Sequence, residues 1–146
     1  MLPVHSARCP KALVQFHRMP KNIVLCVDDE PIVLRTCSIA LASAGFRAVV
    51  AETPTAALEA FILLHDEICV VLSDIIMPIM NGIDMAERIL ELDPQAKVLL
   101  MSGYGDGVTG VSESRFPLIR KPFIHSVLIE RIRSVIGQAD AATSTT

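Results

Sequence analysis

From residue 22 onward the amino-acid sequence predicts an α/β fold, a doubly wound parallel sheet covered by helices on both faces. Five short aliphatic runs recur along the chain, each too continuously apolar for a strand with one wet face. Stretches of helical length and pattern separate them, and that alternation implies right-handed β-α-β crossovers. With 146 residues, 51% of them hydrophobic, the chain holds core material for one domain and no more.

The first strand is expected at 23–27 (IVLCV). "EPIVLRTCSIALASAG" follows as a helix, with Pro31 in the first turn, where a missing N–H costs nothing, and Gly45 at the stop. A second strand at 47–51 (RAVVA) leads to "TPTAALEAFILLH", which opens on Thr53 as N-cap and Pro54 as the first helical residue. The third strand, 68–73 (ICVVLS), precedes the helix "NGIDMAERILELD"; strands at 97–101 (KVLLM) and 116–120 (FPLIR) complete the sheet. The closing helix, "PFIHSVLIERIRSVIG", is expected to end at Gly137. Between Met101 and Phe116 stands "SGYGDGVTGVSESR", whose four glycines, valines and serines are poor helix material. That segment is expected to hold a degenerate or short fourth helix, or a flexible loop. The domain reading is therefore a basic, flexible leader at 1–21, a folded unit at 22–137 and a flexible tail at 138–146.

Composition excludes several functions. No apolar run approaches the roughly 20 residues of a membrane span, because Asp74 cuts "ICVVLSDIIM". The first residues lack the pattern of a secretory signal, so a cytoplasmic protein without membrane insertion is expected. Up to Lys21 the ionised side chains are Arg8, Lys11, Arg18 and Lys21, all basic in a chain of net charge −3. That leader reads as a solvated extension, with contact to an acidic partner as its alternative. No helix carries a basic stripe for a duplex, Arg131 and Arg133 being too few, so no direct nucleic-acid contact is expected. Cys9, Cys26, Cys37 and Cys69 lack the paired short spacing of a zinc site and read as reduced. Phe61 and Phe123 read as core, and His5, His17, His65 and His125 all stand apart from the acidic residues.

The chemistry gathers where strands end. Ligands of open parallel sheets sit outside the carboxyl ends of the strands, where strand order reverses. Asp28 and Asp29 follow the first strand, Asp74 the third, Ser102 the fourth and Lys121 the fifth. Taken singly, each has a plainer use as a helix cap, a turn or a surface charge. Together they form one edge of polar groups, with Pro78 and Pro122 as stiff turns beside two of them. Three convergent carboxylates repel one another unless a cation compensates. Oxygen ligands without His or Cys suit Mg²⁺ better than zinc. A carboxylate nucleophile, a divalent ion, a lysine and a hydroxyl are the parts that phosphoryl transfer needs.

The pieces "CVDDEP", "LSDIIMPIMNG", "LLMSGYGD" and "IRKPF", in that order, resemble the response-regulator receiver domain (CheY-like) of two-component signalling, over residues 21 to 137. The resemblance implies a flavodoxin-like five-stranded sheet of order 2-1-3-4-5. It implies that Asp74 is the phosphoacceptor and that Asp29, Asp74 and the backbone carbonyl of Ile76 bind Mg²⁺, with Asp28 acting mainly through water. Ser102 would bond the phosphoryl group, Lys121 would pair with it, and the Lys121–Pro122 peptide would be cis. The implied partners are a sensor histidine kinase or a histidine phosphotransfer protein, and a downstream protein target. The chain would then be a phosphoacceptor, not an enzyme, with at most self-phosphorylation from small donors and slow self-dephosphorylation. No output domain follows Gly137, so a stand-alone switch is expected. A phosphate sink, a phosphorelay intermediate, a detached receiver of a hybrid histidine kinase and a non-phosphorylated pseudo-receiver are the alternatives. A flavodoxin-like electron carrier needs a Ser/Thr/Gly-rich phosphate loop where "DDEP" stands, and a haloacid dehalogenase needs an Asp-x-Asp that is absent.

Two departures from the receiver pattern modulate these expectations. Leu118 takes the place of the usual Tyr or Phe three residues before the lysine, and the interval from Ser102 to Lys121 is a few residues short. An order–disorder change of residues 103–115 is expected in place of an aromatic rotation. Ile76 and Tyr104 occupy positions that flank the path of the hydrolytic water in that family, so slow self-dephosphorylation is expected.

Overall fold

The computed structural model describes residues 21–103 and 115–144, with side chains to residue 137. In chain order the elements are β1 (Ile23–Val27), α1 (Pro31–Ser43), β2 (Arg47–Ala51), α2 (Pro54–Leu64), β3 (Ile68–Asp74), α3 (Gly82–Leu92), β4 (Val98–Ser102), β5 (Leu118–Arg120) and α4 (His125–Ser144). The strands form one parallel sheet in the order β2-β1-β3-β4-β5, as expected. β1, β3 and β4 are buried along their whole length, and only the edge strands β2 and β5 reach solvent. That burial on both faces is why these runs do not alternate in polarity.

Two hydrophobic layers flank the sheet. On one face Leu25, Val71, Ile75 and Leu100 pack against Ala57 and Phe61 of α2 and Met85 and Ile89 of α3. On the other face Val24, Leu72, Leu99 and Met101 pack against Leu34 and Leu41 of α1 and Leu128 and Ile132 of α4. Each of the larger side chains among these contributes about 1.5–3 kcal/mol by leaving water. Cys26, Cys37 and Cys69 are free and buried in these layers, consistent with the reduced, structural reading.

Local signals place the helices, Thr53 as the sequence foretells and Asn81 without having been singled out there. Thr53 caps α2, its hydroxyl accepting from the Ala56 N–H at 3.1 Å, and Asn81 caps α3 by accepting from the Asp84 N–H at 2.8 Å. Gly45, at φ 90°, turns the chain from α1 into β2 in a conformation that side-chain-bearing residues rarely adopt.

Several boundaries differ from the expectation. α4 does not stop at Gly137 but continues to Ser144, so the end set at 137 is corrected. An interior glycine costs about 1 kcal/mol, too little to stop a helix that Gln138, Ala139, Ala141 and Ala142 are suited to carry on. β5 begins at Leu118 rather than 116, because Pro117 has no N–H to give the ladder, although its carbonyl accepts from the Leu100 N–H at 2.9 Å. β3 runs one residue further and β4 lies one residue later, at 98–102 instead of 97–101, so Asp74 and Ser102 are the last residues of strands and not the first of loops. Residues 1–20 and 104–114, which include the leader, Tyr104 and the expected short helix, lie outside the described residues.

Candidate functional site

Four strand ends meet at one edge of the sheet, where order reverses between β1 and β3. Asp28 follows β1 directly, its N–H donating to the Ala51 carbonyl of β2 at 3.2 Å. Its carboxylate is fully buried: Oδ1 accepts from the Glu30 N–H at 2.9 Å and Oδ2 from Lys121 Nζ at 2.9 Å. Asp29 is exposed beside it. Asp74 ends β3 with only 6% of its surface exposed, and the next residue, Ile75, donates its N–H to the Met101 carbonyl at 3.2 Å. Ser102 ends β4 and is buried; its carbonyl accepts from the Lys121 N–H at 2.8 Å.

Lys121 sits at the turn after β5, on the cis peptide bond with Pro122. Its ammonium bridges two carboxylates, 2.9 Å from Asp28 Oδ2 and 3.2 Å from Asp74 Oδ1. Carboxylate oxygens of Asp28, Asp29 and Asp74 all lie within 4.8 Å of one another. One lysine against three carboxylates leaves two negative charges in excess. Burial pushes the Asp74 carboxyl above its ordinary range, the Asp28 charge adds to this, and the Lys121 charge and hydrogen bond oppose it without prevailing. Burial alone would lower Lys121, but its hydrogen bond to Asp28 and the Asp74 charge outweigh that and hold the ammonium above the ordinary lysine value.

An oxygen-only donor set with two uncompensated negative charges fits a hard divalent cation, and Mg²⁺ in particular, which prefers carboxylates and retained water. The nucleophile-like oxygens of Asp74, the cation of Lys121 and that ligand set stand within a few bond lengths of each other. Such an arrangement is suited to receiving a phosphoryl group.

Two residues around Asp74 were not legible in the sequence as part of this site. The Ser73 hydroxyl, buried, donates to the Asp74 carbonyl oxygen at 2.9 Å. Gly82 opens α3 so close to β3 that a Cβ would collide with the same carbonyl oxygen and come within 3.1 Å of Ile75 Cα. Gly82 closes the piece "LSDIIMPIMNG" and follows the capping Asn81, but neither signal shows how closely it approaches β3. Ile76, on the loop after β3, is 53% exposed. Leu118 is half-buried against the α2–α3 layer, and its carbonyl accepts from Arg131 at 2.7 Å. His65 pairs with Asp66 at 3.3 Å and His125 opens α4; neither joins the carboxylates.

Residues 24–133 match the response regulator receiver domain family, and the chain belongs to that family. Among its relatives, the regulatory protein AtoC of Escherichia coli is 37% identical over 105 residues, which is 70% of this chain and 22% of that protein. The chain spans between 22% and 27% of the length of the four curated transcriptional regulators of Escherichia coli and Rhizobium meliloti compared with it. A response regulator receiver domain protein from Clostridium thermocellum superposes with a TM-score of 0.74 at 27% identity, covering 82% of this chain and 98% of that one. TrrA from Thermotoga maritima, solved in complex with Mg(2+)-BeF, has a TM-score of 0.69 at 26% identity, over 80% of this chain and 99% of its own. Receiver domains are phosphoacceptor switches, and the acidic cluster here has the make-up of their Mg²⁺ sites. No helix among the described residues is long and apolar enough to cross a membrane.

Proposed function

We propose that the chain is a phosphorylation switch whose receiver unit begins at residue 22 and takes in the whole of α4. A sensor histidine kinase or a histidine phosphotransfer protein gives its phosphoryl group to Asp74, and the change alters contacts with a downstream protein. The observation that carries this reading is the Lys121 ammonium held between Asp28 and Asp74, with Asp29 completing the acidic group. Asp74 Oδ forms the new bond to phosphorus as the phosphorus–nitrogen bond to the donor imidazole breaks, the electron pair returning to the ring. Asp29, Asp74 and the Ile76 carbonyl would supply the oxygens for Mg²⁺, with Asp28 acting mainly through water, and the ion would neutralise phosphoryl charge. Lys121 takes up the charge on the phosphoryl oxygens once Asp74 is esterified, and Ser102 offers its hydroxyl.

An apolar rim supports docking of the donor protein beside this site. A pocket of about 200 Å³ is lined by Ile32, Val33, Thr36, Cys37, Lys121, Pro122 and Phe123. Ile32 is 76% exposed and Ile124, next to Phe123, 66%. Contiguous exposed apolar residues of this kind mark protein contacts.

The deciding experiment is incubation with Mg²⁺ and acetyl phosphate, followed by intact mass. One phosphoryl adduct on the wild type, none on Asp74→Asn and none after chelation is the expected result. An adduct that persists in Asp74→Asn overturns the assignment of the acceptor. A folded chain that binds no Mg²⁺ and takes no phosphoryl group from acetyl phosphate or from histidine kinases favours the non-phosphorylated binding module instead.

A further inference from the structure

Ile79 is out of place by every ordinary rule. At φ 75° it is the centre of a γ-turn of the rare, strained hand, the Met80 N–H donating to the Pro78 carbonyl at 2.8 Å. A β-branched residue in that conformation is an outlier. Its side chain is 99% exposed, so no burial within the described chain offsets the strain. Ile76, three residues earlier, is exposed as well.

From Ile79 and Met80 an open groove of about 370 Å³ runs along α3 past Asp84, Glu87, Arg88 and Glu91. Spacings of three and four put those four residues on one face of the helix. Three carboxylates against one guanidinium make the groove acidic, although Glu87 also pairs with Arg115 at 3.1 Å. An apolar end and an acidic length fit a segment that is itself apolar and basic.

The chain supplies such a segment. Residues 1–20 carry Arg8, Lys11 and Arg18, no Asp or Glu, and the apolar Leu13, Val14 and Phe16. The described chain opens at Lys21, which lines a cleft together with Asp93 and Gln95, just past the C-terminal end of α3. Lys21, to which the leader is joined, therefore lies near the C-terminal end of α3. α3, with 11 residues, is about 16 Å long, a span that about five extended residues cover. We propose that the leader seats along the α3 groove in cis, its basic side chains against Asp84, Glu87 and Glu91 and an apolar side chain against Ile79. The proposal goes beyond the phosphoryl chemistry and does not depend on it.

Cys9 gives the test a handle, because Cys26, Cys37 and Cys69 are buried. A nitroxide on Cys9 of the full chain should broaden the backbone amide signals of Ile79 and of α3 more than those of α1 and α4. High salt, and the triple variant Arg8→Glu/Lys11→Glu/Arg18→Glu, should each abolish that contrast. Ile79→Gly should weaken broadening at the loop while the chain stays folded. Broadening spread alike over all faces, or centred on α1 and α4, overturns the proposal. So does broadening of isotope-labelled, spin-free chains mixed with nitroxide-bearing ones, since the leader would then belong to a second copy.

Discussion

At the scale of single residues, Asp74 is held in a state that works against the fold at neutral pH. Its carboxyl titrates above the ordinary value of 3.8, so its contribution to stability is present below that value and is lost as pH rises through the raised one. Ionised Asp74 therefore burdens the folded chain, and Asp74→Asn is expected to raise the melting temperature at pH 7. The gain should shrink to nothing as the pH is lowered through the carboxylate range, which thermal melts across pH would show. Lys121 has the opposite role: its raised value means that its stabilising charge persists to pH values above 10.5. A second expectation concerns Ile76, half-exposed on the loop that follows Asp74. Ile76→Asn would replace an apolar screen by a group able to hold water, and loss of phosphate from Asp74 should quicken several-fold in a time course of intact mass. The five polar residues of this edge were legible because strand ends in a parallel sheet are predictable from aliphatic runs. Ser73 and Gly82 were not, since their roles depend on how closely the start of α3 approaches the end of β3. Nothing in their own neighbourhoods of sequence encodes that distance.

At the scale of elements, caps and breakers predicted starts better than stops. Thr53 and Asn81 accept from the backbone N–H groups three residues on, and Asn81→Ala should cost about 1 kcal/mol in chemical denaturation. Gly137 misled because a glycine ends a helix only when the residues after it are unable to continue the turn, and here α4 runs on to Ser144. Gly137→Ala is thus expected to stabilise the protein by about 0.5–1 kcal/mol, with a Cβ that meets nothing within 4 Å. The same mutation would have been harmful had the residue stood at positive φ, as Gly45 does. The γ-turn at Ile79 gives the complementary case. Ile79→Gly relieves a strain of about 1–3 kcal/mol, less the added freedom of the unfolded chain, and should raise the denaturation midpoint even as it removes an exposed anchor.

At the scale of the whole molecule, the sheet serves to bring distant residues to one point. Asp28 and Lys121 are separated by 93 positions yet meet at 2.9 Å, because β1, β3, β4 and β5 lie side by side in parallel and end together. Alternating aliphatic and helical segments were enough to predict that convergence and its excess of carboxylates, but not that Lys121 bridges two of them. The lysine satisfies two carboxylates at once and leaves the cluster with surplus negative charge. A ligand that binds only the folded state stabilises it by RT ln(1 + [L]/Kd), about 2.7 kcal/mol at one hundred times Kd. For a domain of this size that corresponds to a rise in melting temperature on the order of 10 °C. Mg²⁺ is therefore expected to shift the wild-type melting curve upward, and Asp29→Asn, which takes one carboxylate from the cluster without touching the Lys121 bridge, to reduce the shift. Equal shifts in the two proteins would place the cation elsewhere on the chain, and the acidic cluster would then be a structural ion-pair network centred on Lys121.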